Sequence, residues 1–187
     1  SPLNPINSKV AKNHTIDELL TILKKAEKQL IETHKSIDSV PYNGLNESYM
    51  ERIYINSEGA NRHMKLSQSS IYLYAKAEED NKKPRSAGGI RINSDLEELD
   101  VSSCINETSE KLISHLNYKS IETNKYLICF TPEAFLQLIS AFSSMFNARS
   151  IIDGLSLMNE DSIGDQISVS NLNISDEGLH PENVGAF

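Results

Sequence analysis

The sequence contains no tryptophan, only two cysteines and no apolar run of the length that crosses a bilayer. The cysteines, Cys104 and Cys129, lie in different predicted elements, so no disulfide framework is indicated. The N-terminus has no export-signal pattern. Together these absences predict a cytoplasmic protein with reduced thiols and no membrane partner.

Positive charge is also scarce. The chain has 18 Lys and Arg against 26 Asp and Glu, and its net charge is −8. A general nucleic-acid binder needs a basic surface, because its affinity comes largely from displacing counterions from phosphates. We therefore expect no direct contact with nucleic acid. The composition that is present, 39% hydrophobic and 24% charged over 187 residues, is typical of a soluble globular protein of one or two domains.

Recognisable catalytic and metal-binding motifs are missing as well. There is no phosphate-binding glycine loop, no dinucleotide fingerprint and no nucleophile elbow. Asp153, Asp161 and Asp165 cluster, but without the alternation and the closing Glu of a calcium loop. The sequence therefore predicts no catalytic residue, no metal ligand and no cofactor. The five histidines are isolated from one another in sequence: His14, His34, His63, His115 and His180.

The first part of the chain begins with a clear helix pattern. Residues 15–18 form a Thr-x-x-Glu capping box, and the apolar spacing after it predicts an amphipathic helix over roughly 15–34. The next segment, 36–42, predicts a short strand that ends at Pro41 and the turn Asn43-Gly44.

Three further runs predict an antiparallel meander. Apolar and polar residues alternate over 49–56 and again over 62–77, on either side of a turn at 56–59. The charged segment 78–84 predicts a second turn, and 87–92 predicts a third strand. Such a sheet is expected to have one buried face and one wet face.

A second helix completes this arrangement. The pair Gly88-Gly89 predicts a bend or bulge in the third strand. Apolar residues at helical spacing then predict a helix over roughly 102–116. The predicted fold class is α+β, an antiparallel β-meander with flanking helices.

One apolar segment dominates the rest of the chain. Tyr126–Phe130 is rich in β-forming residues and predicts a buried strand. Thr131 suits a helix N-cap and Pro132 the first helical position, where no amide hydrogen is needed. The helix that follows, to about Phe146, is apolar on most sides, which favours a core helix over an interface helix. Alternation over Ile167–Ile174 predicts a further strand.

Several of these stretches, in this order, resemble the TldD/PmbA family, also called modulators of DNA gyrase. They are the Asn-Ser-Glu-Gly turn at 56–59 with its strand, the helix before Leu116, and the strand 126–130 running into a Pro-started helix. The segment 155–167 continues the resemblance, which covers the chain from about residue 15 to its end.

The resemblance implies a domain organisation. Members of the family are more than twice this length, with an N-terminal α/β domain, a middle domain and a β-rich C-terminal domain. Residues 1–120 would then be the middle domain, and 121–187 the beginning of a second, truncated β-rich domain. Neither the Ser1-Pro2 start nor the Phe187 end looks like a natural domain terminus, so we expect a fragment of a longer protein.

The resemblance also implies a role. The family forms two-subunit cytoplasmic metalloproteases, in which the TldD type carries a zinc-binding His-Glu-x-x-x-His helix and the PmbA (TldE) type lacks it. That motif would fall in the helix after strand 126–130. Residues 132–149 contain no histidine, and Glu133 is their only carboxylate. The chain is therefore expected to come from a PmbA/TldE-like, metal-free subunit involved in peptide processing or degradation.

The expected partner is a TldD-like catalytic subunit or a second copy of the chain. A sheet edge could also take an unfolded peptide as an added strand. Two alternatives stay open. The chain could belong to an active metallopeptidase whose zinc ligands lie in a missing C-terminal part, or it could be a non-enzymatic interaction module.

Overall fold

A computed structural model of the chain describes residues 14–175. The described residues form two compact units, 14–120 and 121–175. The first contains two helices and a three-stranded antiparallel sheet, which confirms the predicted α+β class. Among these residues, no helix is both long enough and apolar enough to cross a bilayer.

Helix α1 spans Ile16–Glu32 and begins with the predicted capping box. The Thr15 hydroxyl accepts a hydrogen bond from the Glu18 amide, and the Glu18 carboxylate accepts one from the Thr15 amide at 2.7 Å. This reciprocal pair satisfies amides that a helix N-terminus otherwise leaves without partners. Ala26 and Leu30 are buried on the side of α1 that packs on the sheet.

The sheet contains three strands in the order of the chain: β1, Ile37–Ile55; β2, Asn61–Ala77; and β3, Arg85–Asn93. The predicted meander is confirmed. β2 pairs with β1 over its whole length, whereas β3 pairs only with Ser69–Ala77. The hairpin of β1 and β2 therefore continues beyond β3 as a two-stranded ribbon.

The turn predicted at Asn43-Gly44 is wrong, because β1 continues through it. Irregular pairing at the start of the strand accommodates Pro41. The Asn43 side chain donates a hydrogen bond to the Glu27 carboxylate of α1 at 2.9 Å. Gly44 lies under the ring of Tyr72, where a Cβ would collide with the ring. The Asn-Gly pair thus serves packing within a strand rather than chain reversal.

Both other predicted turns are confirmed. In the first, Gly59 has a φ of 85°, a left-handed conformation that costs glycine little. The Asn56 side-chain oxygen accepts hydrogen bonds from the amides of Glu58 and Ala60, at 3.1 and 2.9 Å. The second turn contains Asn81, whose φ is 63°.

Helix α2 spans Val101–Leu116, as predicted. The bend or bulge predicted at Gly88-Gly89 is wrong, because the β2–β3 register is unbroken there. A Cβ on Gly89 would lie 2.7 Å from the hydroxyl oxygen of Thr108 in α2. Glycine is needed at this position because the helix packs closely on the strand.

The core of the first unit lies between the sheet and the two helices, which cover the same face of the sheet. The largest fully buried apolar residues are Leu30, Ile71, Leu73 and Leu112. Burying a leucine or isoleucine side chain stabilises a fold by about 1.5–3 kcal/mol, so these four residues contribute strongly to the stability of the unit.

The second unit consists of short helices and turns. Helix α3 spans Pro132–Ala141 and is followed by a 3-10 helix, Ser143–Phe146. Helix α4 spans Ala148–Ile152, and a second 3-10 helix spans Glu160–Ser162. The helices of this unit are therefore shorter than the two helices of the first, which have 17 and 16 residues.

The predicted start of α3 is confirmed, but its predicted burial is wrong. The Thr131 hydroxyl accepts a hydrogen bond from the Ala134 amide at 3.4 Å, and Pro132 occupies the first turn. No residue of α3 is buried; Phe135 and Ile139 are half-buried. An apolar composition alone does not supply a surface for the helix to pack against.

The two strands predicted in this unit are also wrong. Neither Tyr126–Phe130 nor Ile167–Ile174 has strand structure, and Cys129 is exposed. A strand persists when a neighbouring strand satisfies its backbone hydrogen bonds. The described residues of this unit supply no such neighbour. The β-rich character that the resemblance implies for this domain is thus not seen in residues 121–175.

Candidate functional site

Helix α3 is the position at which the resemblance places a zinc-binding motif. Its side chains are mainly aliphatic and aromatic, and its one carboxylate, Glu133, lies in the first turn. Zinc in proteins is held by imidazole, thiolate and carboxylate groups that converge on one point. The helix and its continuation offer apolar contacts instead, through the exposed side chains of Leu136, Leu138, Phe142 and Phe146.

No group of three or more His, Cys, Asp or Glu side chains among residues 14–175 is arranged to hold a metal ion. His34 accepts a hydrogen bond from the Ser36 amide at 3.1 Å. His180 lies outside the described residues. The absence of catalytic residues, metal ligands and cofactors, as expected from the sequence, stays a prediction.

One histidine pair was not foreseen from the sequence. His14 Nδ1 lies 3.0 Å from Glu47 Oε1, and the His14 amide donates to Glu47 Oε2 at 3.0 Å. The two side chains are only 10% and 11% exposed. The pair fastens the segment before α1 to strand β1. Its members are 33 positions apart, so no local pattern could have indicated it.

A charged cluster joins β3 to α2. Glu107 contacts both Arg91 of β3 and Lys111 one turn further along α2. Hydrogen bonds from Lys111 and Arg91 hold the pKa of the Glu107 carboxyl below its ordinary value. Beneath it, burial raises the pKa of the Cys104 thiol, which makes that cysteine a poor nucleophile. The cluster is structural rather than catalytic in character.

A second charged cluster lies on the hairpin. His63 Nε2 is 2.6 Å from Glu51 Oε1, and Lys65 Nζ is 3.6 Å from the same oxygen. The hydrogen bond from His63, together with the charge of Lys65, lowers the pKa of Glu51. All three side chains are more than 40% exposed. The cluster therefore resembles a cross-strand ion pair more than a buried acid–base site.

The sheet face that the helices leave uncovered is solvent-exposed and carries large apolar side chains among polar ones. We call it the outer face. Tyr42, Ile90 and Ile92 are each more than half exposed, at 65, 56 and 59%. The predicted wet face is thus confirmed in its exposure, and polar side chains share it with these large apolar ones. Over the three-stranded part, this face comprises Tyr42, Gly44, Asn46, Ser70, Tyr72, Tyr74, Lys76, Ser86, Gly88, Ile90 and Ile92.

Two glycines shape this face. Gly44 on β1 lies under the ring of Tyr72, and a Cβ on Gly88 of β3 would lie 3.0 Å from the ring of Tyr74. Both tyrosines are on the central strand, so their rings extend sideways over the glycines of the neighbouring strands. Tyr42 adds a third ring, 6.0 Å from that of Tyr74. The result is an aromatic layer that lies along the sheet.

The ribbon, residues 48–55 and 61–68, continues this surface. Met50 and Tyr54 are exposed on the side that continues the outer face, and Ile53 and Ile55 are exposed on the opposite side. A two-stranded ribbon with apolar residues on both faces is only marginally stable alone in water. The arrangement is suited to contact with another polypeptide.

The sheet also has open strand edges. In the described part of the chain, the outer edge of β1 has no paired strand, and β2 has none beyond Ser69 on the side of β3. Open edges present unpaired amides and carbonyls, which can accept an extended peptide.

Two protein-family models match the chain. Residues 10–116 match the model of the PmbA/TldA metallopeptidase central domain, and residues 123–187 match that of the PmbA/TldA metallopeptidase C-terminal domain. No curated protein sequence matches the chain.

Solved structures support the fold. A candidate modulator of a DNA gyrase from Thermotoga maritima superposes with a TM-score of 0.72 at 20% identity, over 82% of this chain and 36% of its own. A candidate modulator of DNA gyrase from Bacteroides thetaiotaomicron gives a TM-score of 0.65 at 15% identity, over 78% and 34%. The chain therefore spans about a third of the length of these structures.

Proposed function

The chain belongs to the PmbA/TldD metallopeptidase family, and from this premise we propose that it is part of a metal-free, PmbA/TldE-like subunit. Its role is to support peptide cleavage by a zinc-bearing, TldD-like partner. The observation that carries the proposal is the composition of residues 132–149. They hold no histidine and a single carboxylate, Glu133, where the resemblance places the His-Glu-x-x-x-His of catalytic members.

The chemistry of α3 supports a non-catalytic role. Its exposed leucines and phenylalanines contribute dispersion and apolar burial to a contact, but they neither polarise a carbonyl nor activate water. The buried Cys104 is likewise poorly suited to attack a peptide bond, since burial raises the pKa of its thiol. Cleavage chemistry is therefore assigned to the partner subunit.

The open strand edges are the proposed binding site for the peptide substrate. An unfolded peptide would bind as an added strand along the outer edge of β1, where backbone hydrogen bonds give affinity without requiring a particular sequence. In the ribbon both strands have an open edge, and alternate side chains are available on both faces. This mode suits a subunit that presents peptides of varied sequence.

Reconstitution tests the proposal. The complete protein containing this chain is mixed with its family partner that carries His-Glu-x-x-x-His, and cleavage of a fluorescently labelled unfolded polypeptide is followed. We expect cleavage only by the mixture, and its loss on chelation of zinc. As matched controls, the first histidine of the partner's motif is changed to alanine, which should abolish cleavage, and Glu133→Gln is made here, which should not.

The alternative of an active metallopeptidase makes the opposite prediction. Zinc-dependent cleavage by the complete protein without any partner would contradict the proposed role. Cleavage by the mixture that falls with Glu133→Gln, at unchanged assembly, would do so as well.

A further inference from the structure

We draw no further inference here: the strongest candidate, the nearly buried side-chain pair of His14 and Glu47 between the segment before α1 and strand β1, carries nothing, because no third metal-ligating group accompanies it among residues 14–175 and nothing in that part of the chain shows a second position for the segment that it holds.

Discussion

Gly89 illustrates what a single residue contributes to this fold. Its sequence context indicated a bend, yet the strand is regular and the glycine makes room for α2. Information about the helix on the other side of the strand is not contained in the Gly-Gly pair itself. The Gly-Gly pattern therefore indicated correctly that the glycine is required, but it predicted a bend where the actual cause is close packing of α2 on the strand.

Changing Gly89 to alanine should destabilise the first unit by about 1–3 kcal/mol, because the added Cβ meets the Thr108 hydroxyl and the Cys104 carbonyl. Urea unfolding followed by circular dichroism measures the loss. Ser86→Ala, at an exposed site on the same strand, should change the free energy of unfolding by less than about 0.5 kcal/mol. Equal effects of the two variants would show that α2 is not packed on this strand as described.

Glu107 predicts a pH dependence. Its pKa is lowered in the folded state by Lys111 and Arg91, from an ordinary value of 4.5. A carboxyl with a lowered folded pKa contributes stability above its unfolded pKa, and that contribution is lost as the pH falls through the folded pKa. Stability should therefore decline as the pH falls below about 4.5.

The substitution Glu107→Gln should lower stability near neutral pH and flatten this acid decline, as measured by urea unfolding at a series of pH values. The control is Glu110→Gln, an exposed position on the same helix. An acid decline that is unchanged in Glu107→Gln would mean that the contacts of Glu107 with Arg91 and Lys111 do not stabilise the folded state.

At the scale of elements, the first unit could be predicted well and the second could not. Helix α1 has its own cap and apolar stripe, and β1 and β2 each find a partner strand within the same hairpin. The segment 126–130 has an equally strong β composition but no neighbouring strand among the described residues. Local signals specify an element only when its hydrogen-bond or packing partner is near in the chain.

The cap of α1 gives a prediction at this scale. Thr15→Ala removes the hydroxyl that accepts from the Glu18 amide, and should cost about 1 kcal/mol in the free energy of unfolding. Thermal and urea unfolding measure this loss. Thr21→Ala, which removes an exposed hydroxyl within the same helix, should cost clearly less. The reverse ranking would argue against the capping box.

The contrast between α2 and α3 can be tested with one type of substitution. Leu112 of α2 is fully buried, so Leu112→Ala should cost about 2–5 kcal/mol. Leu136 of α3 is 64% exposed, so Leu136→Ala should have little effect on the unfolding of its own unit. Hydrogen exchange resolves the two units. A large loss of protection in α3 on Leu136→Ala would restore the core-helix interpretation that the structure overturns.

At the scale of the whole molecule, the candidate site was foreseen only as an absence. The missing histidines in 132–149 were visible in the sequence, because ligand types are a property of composition. The aromatic layer on the outer face was not foreseen, because its residues come from different strands and only the register brings them together. Tyr72 and Tyr74 lie over the two strand glycines, and Tyr42 lies beside Tyr74, an arrangement that the sequence alone does not indicate.

Residues 10–116 match the central-domain model of the family, and residues 123–187 match its C-terminal-domain model. Its relatives of known structure are nearly three times as long, so partners and activity of the complete protein rest on the proposal rather than on the fold. We propose that this chain binds no zinc at the position where the resemblance places zinc in catalytic members.

Zinc analysis tests that claim most directly. The complete protein is expressed in zinc-supplemented medium, separated from its partner, and its metal content is measured by inductively coupled plasma mass spectrometry. We predict that zinc stays with the His-Glu-x-x-x-His subunit and is far below stoichiometric in the protein that contains this chain. One tightly held zinc per copy, retained after separation from the partner, would contradict the account.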